Sequence, residues 1–170
     1  MKASAQIDFL KMVDKHSAII NSLCHIYYPV SEDRKDARQD IILQLWKAFP
    51  TFKAASQPST WLYRVALNTI LNKKKKEARR PGYDSLDKLL SLPIHTAPHT
   101  DDDLQLLKQI IAQLPDLEKA IMVLHLEGYQ NKEIADMLEL SASNISTRMH
   151  RIKTRLKENF KSQNYVTRKI

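Results

Sequence analysis

The chain has 170 residues, 43% of them hydrophobic, enough apolar material for one ordinary domain or two small helical ones, which excludes complete disorder. A single cysteine, Cys24, excludes an intrachain disulfide framework and fits a reducing compartment, so the cytoplasm is the expected location. The net charge is +8 and is unevenly spread: 15 Lys and Arg against 7 Asp and Glu over residues 1–80, 3 against 9 over 101–142, and 8 against 1 over 143–170, so two basic zones flank an acidic one and an anionic partner is implied.

Only two glycines, Gly82 and Gly128, few alternating Val/Ile/Thr runs and abundant Leu, Ala, Lys, Glu and Gln predict an all-α protein. No apolar run reaches 18 residues, and Asp8 and Lys11 interrupt the start of the chain. Neither a transmembrane helix nor a signal peptide is expected, and no membrane insertion.

The spacing of Phe9, Val13, Ile20, Leu23 and Tyr27 predicts one helix over 5–27, stopped by Pro29. A second is predicted from Ser31 to Pro50, burying Ala37, Ile41, Leu45 and Ala48 and exposing Asp36, Gln39, Asp40 and Lys47. A third runs from about Ser59 to Glu77 and ends in a basic cluster, Lys73 to Lys76 with Arg79 and Arg80.

The stretch PGYDSLDKLLSLPIHTAPHT (81–100) holds three prolines and a glycine and reads as a flexible linker spanning roughly 25 Å between two domains, 1–80 and 101–170. His95 and His99 are four apart, but Pro98 lies between them and nothing completes a metal site; no metal or cofactor is expected. Thr100 with Asp101, Asp102 and Asp103 has the chemistry of a helix start, with a cap and acids at the positive end of the dipole, and that helix is predicted to reach Leu114. Pro115 restarts the chain in a helix whose apolar side is Ile121, Leu124 and Leu126 and whose end is Gly128.

The segment GYQNKEIADMLELSASNISTRMHRIKTRLKENF predicts a short helix (131–138), a turn (139–141) and a longer helix (142–159): a helix-turn-helix. Ile134, Ala135 and Leu138 face the partner helix, Leu140 plugs the turn and Ser141 can cap the next amides. At 100° per residue, Met149, Ile152 and Leu156 fall within about 40° of Ile145, one apolar seam. Ser143, Thr147, His150, Arg151 and Thr154 fall opposite, with Asn144, Arg148 and Arg155 on the flank. A cationic face of short hydrogen-bonding groups suits the major groove. Asn144, Thr147, Arg148 and Arg151 are best placed for base edges, and Lys153, Arg155 and Lys157 for phosphates. An ordinary solvated helix face carries arginine too, so this pattern gains its weight from the helix pair and seam around it.

Residues 128–156, with Glu133-Ile134-Ala135, Leu138, Leu140-Ser141, Ile145 and Arg148-Met149-His150-Arg151, closely resemble the region-4 helix-turn-helix of extracytoplasmic-function sigma factors of bacterial RNA polymerase. DRKDARQDIILQLW (33–46) resembles the region-2 helix of that family, which grips the coiled coil of the clamp on the polymerase's largest subunit; the resemblance implies polymerase contacts for Asp36, Gln39 and Asp40. STWLYRVALN (59–68) is similar to the family's promoter-melting segment. The resemblance extends from about residue 7 to 160 and implies a non-enzymatic sigma factor. Its partners would be core RNA polymerase, promoter DNA (a minus-35 duplex and a melted minus-10 strand) and an anti-sigma factor.

On a helical wheel Arg64, Val65, Asn68, Asn72, Lys75 and Lys76 lie within about 60° of Trp61, a stripe of aromatic, amide and cationic groups that can follow a single strand. Trp61 borders the apolar side, where it serves a core as readily as a base. Before it, Lys53, Ser56 and Gln57 lie in the loop that captures a flipped minus-10 base in the resembled family; Pro58 and two alanines replace the usual glycine-containing text, leaving open which side chain lines the pocket. Glu139 stands where the family commonly has glycine in the turn, at a cost of about 1 kcal/mol if the backbone there is left-handed.

Two other classes compete. A conventional repressor or activator would use the helix-turn-helix on a palindromic operator and bind it tightly without polymerase. A helical nuclease or hydrolase lacks paired carboxylates with a histidine, a nucleophile motif and a phosphate-cradling glycine loop.

Overall fold

The computed structural model describes residues 3–52, 56–79 and 111–167, and among these there is no strand. The chain divides into two compact units, Met1–Leu92 and Pro93–Ile170. Lys53, the proposed linker 81–100, the paired histidines and the capped helix start at Thr100 lie outside the described residues.

The first unit contains α1 (Ala3–Lys15), α2 (Ser17–Tyr27), α3 (Ser31–Ala48), a 3-10 turn (Phe49–Thr51) and α4 (Pro58–Glu77). Residues 5–27 therefore form two helices, not one. His16 breaks them with φ −109° and ψ 16°, its carbonyl accepting a three-residue turn bond from the Ile19 amide. Phe9 of α1 is buried edge-on against Trp46 and Phe49 (4.9 and 5.3 Å between centroids), at the end of α3, whereas α2 packs along both α3 and α4. The two segments thus dock on different parts of the same scaffold.

The core joins Ile20, Leu23, Ile41, Leu45, Leu62, Leu67 and Ile70, all fully or nearly fully buried. Each is the inward member of a helical repeat, which orients α2, α3 and α4 and leaves α4's polar stripe outward. Cys24 is part of this core, and burial pushes its thiol pKa up against the opposing influence of Arg38 and Arg34. Pro58 at the start of α4 costs no intrahelical hydrogen bond there, and the Trp61 amide donates to the Gln57 carbonyl at 3.1 Å.

The second unit contains α5 (Asp116–Leu126), α6 (Asn131–Leu138) and α7 (Ala142–Thr167). Pro115 precedes α5 as its N-cap residue with an extended backbone (φ −53°, ψ 149°). Ile121 and Leu124 are buried as expected, but Leu126 is 55% exposed: the helix ends there, and its last turn passes beyond the packed face. Ile134, Ala135, Leu138, Ile145, Met149 and Ile152 form the buried seam between α6 and α7, with Leu156 half-buried at its end.

Candidate nucleic-acid interface

The turn between α6 and α7 is fixed by local bonds. Glu133 Oε2 accepts from the Gln130 amide at 2.8 Å, closing the start of α6. At its other end Glu139 adopts φ 57°, ψ 42°, the left-handed conformation, and the Leu140 amide reaches back to the Ala135 carbonyl at 2.9 Å. A glutamate therefore occupies the position that glycine fills without strain. Ser141 Oγ accepts from the Asn144 amide at 3.2 Å and caps α7, while Asn131 Nδ2 donates to Ser146 Oγ at 3.1 Å and ties the two helices together.

The outward face of α7 carries an open depression lined by Ser141, Ser143, Asn144, Thr147, Arg148 and Arg151. Five of the eight residues expected from sequence on this face and its flank converge there; Thr154 is outside it, its Oγ1 donating to the His150 carbonyl at 3.0 Å. His150 is exposed outside it, and Arg155 is drawn to Glu118 of α5 at 3.4 Å. Arg148 Nε donates to Asn144 Oδ1 at 2.7 Å, which aligns the guanidinium along the helix, and Thr147 Oγ1 donates back to the Ser143 carbonyl. Ser143, Thr147 and Arg151 are exposed. A concave, cationic surface that combines short donors and acceptors with two arginines can hydrogen-bond base edges.

In the first unit, Arg64, Asn72, Lys75 and Lys76 are exposed along α4, Asn68 is half-buried, and Ser56 and Gln57 are exposed just before the helix. Trp61 is half-buried, its ring 4.9 Å from Phe52 and 6.4 Å from Phe49. It thus closes an aromatic chain that runs through Phe49 to Phe9 and Trp46. Sequence reasoning did not pick out Phe49 or Phe52 as its neighbours, although their spacing of three, immediately before the loop, was a usable signal.

On α3, Asp36 and Gln39 are exposed and Asp40 is half-exposed, its carboxylate holding Lys73 Nζ at 2.6 Å. Lys74 packs over the Tyr28 ring at 4.4 Å and reaches Glu77 at 3.8 Å. The lysine run is thus split between Lys73 and Lys74, folded against the unit, and Lys75 and Lys76, open to solvent. Burial acts to lower the Lys73 pKa, but the hydrogen bond and charge of Asp40, with Glu77 and Asp36, raise it above the ordinary lysine value. Among the described residues no group of three or more His, Cys, Asp and Glu side chains could hold a metal ion, and no helix is long and apolar enough to cross a membrane.

Residues 12–80 match the family model described as Sigma-70 region 2, and residues 104–156 that described as Sigma-70, region 4, so each compact unit carries one of the two matches. The chain belongs to the sigma-70 family. Curated relatives place it among the extracytoplasmic-function members: it is 28% identical over 157 residues to the ECF RNA polymerase sigma-E factor of Escherichia coli K12, covering 84% of this chain and 81% of the relative. It is 25% identical over 142 residues to RNA polymerase sigma factor YlaC of Bacillus subtilis, covering 75% and 78%. The fold is similar to that of the sigma factor RpoE solved with the anti-sigma factor NepR from Bartonella quintana (TM-score 0.72, 21% identity, 91% of this chain and 97% of that one). CnrH, solved with the cytosolic domain of CnrY, is also similar (TM-score 0.62, 19% identity, 92% and 90%). This sigma factor is an alternative one that directs promoter recognition by RNA polymerase.

Proposed function

We propose a division of labour between two domains, 1–80 and 101–170, joined by a linker at 81–100. Asp36, Gln39 and Asp40 on α3 dock the clamp of core RNA polymerase. The α4 stripe of Trp61, Arg64, Asn68, Asn72, Lys75 and Lys76, with Lys53, Ser56 and Gln57 before it, holds the melted minus-10 strand. Ser143, Asn144, Thr147, Arg148, His150, Arg151 and Arg155 of α7 serve the minus-35 duplex, with Arg155 and His150 at its margin.

The observation that carries this reading is the depression on α7, where polar and arginine side chains converge on one exposed face while the opposite face is sealed in the seam with α6. Melting needs no hydrolysis: capture of unstacked bases by amide and aromatic groups, with phosphate attraction from the lysines, supplies the free energy, and polymerase contacts add to it. The protein accordingly acts without catalysis of its own, in the cytoplasm with the polymerase. The solved relative RpoE is in complex with the anti-sigma factor NepR, and a regulator of that kind is proposed here too.

Transcription in vitro with core polymerase on a genomic promoter library tests the reading. Transcripts starting downstream of paired minus-35 and minus-10 elements are expected. Protection of operator-like DNA without any transcript would contradict it and favour a conventional repressor.

A further inference from the structure

Asp40 and Lys73 are 33 residues apart in sequence and 2.6 Å apart in space. The pair joins the helix proposed to face the polymerase to the helix proposed to face melted DNA. Around it the contacts converge on the same corner. Lys73 Nζ lies 6.0 Å from the Tyr28 ring centroid and Lys74 Nζ 4.4 Å, so the two lysines approach one ring from α4. Arg34, near the start of α3, donates to the Tyr28 and Pro29 carbonyls and fixes the end of α2 beside that helix. The acids facing Lys73 are Asp40 and Asp36 from α3 and Glu77 from α4 itself.

We propose that Asp40 is a positioning residue acting through Lys73: the pair braces the lysine-rich end of α4 against α3 and thereby presents Lys75 and Lys76 to promoter DNA. The geometry on α4 supplies the reason. With Lys73 turned toward α3, Lys75 falls about 200° away on the far side of the helix and Lys76 about 60° from Lys73, and both Lys75 and Lys76 are exposed. Besides the brace, the end of α4 is tied to the end of α2 by Lys74 over the Tyr28 ring, and Lys73 and Lys76, three apart, are like charges that repel. A half-exposed ion pair contributes little to overall stability. Its function is therefore to choose which lysines point outward, more than to hold the unit together.

The inference rests on the proposed polymerase and minus-10 roles, and the experiment separates the two. Open-complex formation is followed by permanganate reactivity of unpaired thymines, on preassembled holoenzyme at saturating polymerase so that docking strength does not enter. Lys73→Asp, which adds a fourth acid to Asp40, Asp36 and Glu77, is expected to slow opening about fivefold to tenfold, the scale of coupling between contacting residues. Lys73→Met is expected to slow it by a smaller factor. Adding Asp40→Lys to Lys73→Asp re-forms the pair with reversed polarity and is expected to restore most of the lost rate. Tryptophan fluorescence, which reports only the first unit because Trp46 and Trp61 both lie there, verifies that each variant is folded. If Lys73→Asp does not fold, the decision passes to Lys73→Met. Wild-type opening rates in both single variants, or no rescue by Asp40→Lys, would overturn the brace. A wild-type holoenzyme that opens no promoter would instead overturn the function on which it rests.

Discussion

The two basic surfaces of this sigma factor are built differently. In the depression on α7 the side chains are organised locally, with Arg148 on Asn144, Thr147 on the Ser143 carbonyl and Ser141 capping the first turn, while Arg155 outside it is held by Glu118 of α5. On α4 the organisation comes from neighbouring helices, with Lys73 on Asp40 of α3 and Lys74 over Tyr28 at the end of α2. A surface that reads a rigid duplex can be set by its own helix. The surface proposed for a flexible single strand takes its shape from the helices beneath it.

The largest expected effects test whether each surface depends on its own core. Ile41→Ala in the first unit and Ile145→Ala in the second should each cost about 2 to 5 kcal/mol, since both side chains are fully buried. Denaturant unfolding followed by tryptophan fluorescence should shift for Ile41→Ala, whereas the loss in Ile145→Ala should show in far-UV circular dichroism. A fluorescence shift of equal size for Ile145→Ala would blur the contrast between the units. Next in size, Arg151→Ala should lose about 1 to 3 kcal/mol of minus-35 discrimination in competition binding by holoenzyme. Lys76→Ala should weaken promoter binding evenly across sequences and lower the salt slope by about 1. Sequence-selective loss in Lys76→Ala would make it a reader instead of a phosphate contact.

Smaller still is the turn. Glu139→Gly should stabilise the second unit by up to about 1 kcal/mol by removing the left-handed strain of a residue with a Cβ, as a rise in its unfolding midpoint. The smallest effect is alkaline. Because burial raises the Cys24 pKa in the folded state, the unfolded chain loses its thiol proton first. The stability this contributes is present below the ordinary thiol value of 9.0 and is lost as pH rises through the higher folded value. Cys24→Ala should therefore show a shallower decline in unfolding midpoint above pH 9 than the wild type, measured across the same buffers.

What the sequence revealed follows from the range of each interaction. The helix-turn-helix was legible to the residue at its turn because Ile134, Leu138, Ile145, Met149 and Ile152 carry a local period and Ser141 a local cap. The family pattern marked Glu139 as a departure from glycine and raised a left-handed backbone there only as a condition, which the φ of 57° meets. The break at His16 was hidden because the apolar period continues across it, from Val13 to Ile20, and no proline or glycine marks it. Leu126 was misplaced for a related reason: a periodic position says which way a side chain points, and not whether a neighbour reaches it. The outward side of α4 was read from its wheel, and Lys75 and Lys76 were distinguished there from Lys73 and Lys74. The partners that hold the latter two inward, Asp40 and Tyr28, are more than 30 residues away in sequence and leave no local trace.

The central claim is that promoter reading is partitioned, with α7 reading the minus-35 duplex and α4 the melted minus-10 strand. It is tested most directly by transcription from a promoter library randomised at both elements, using holoenzyme carrying Arg151→Ala or Asn68→Ala. The account predicts that Arg151→Ala relaxes sequence preference within the minus-35 element alone, and Asn68→Ala within the minus-10 element alone. Preference relaxed in the opposite element, or in both by either variant, would contradict it.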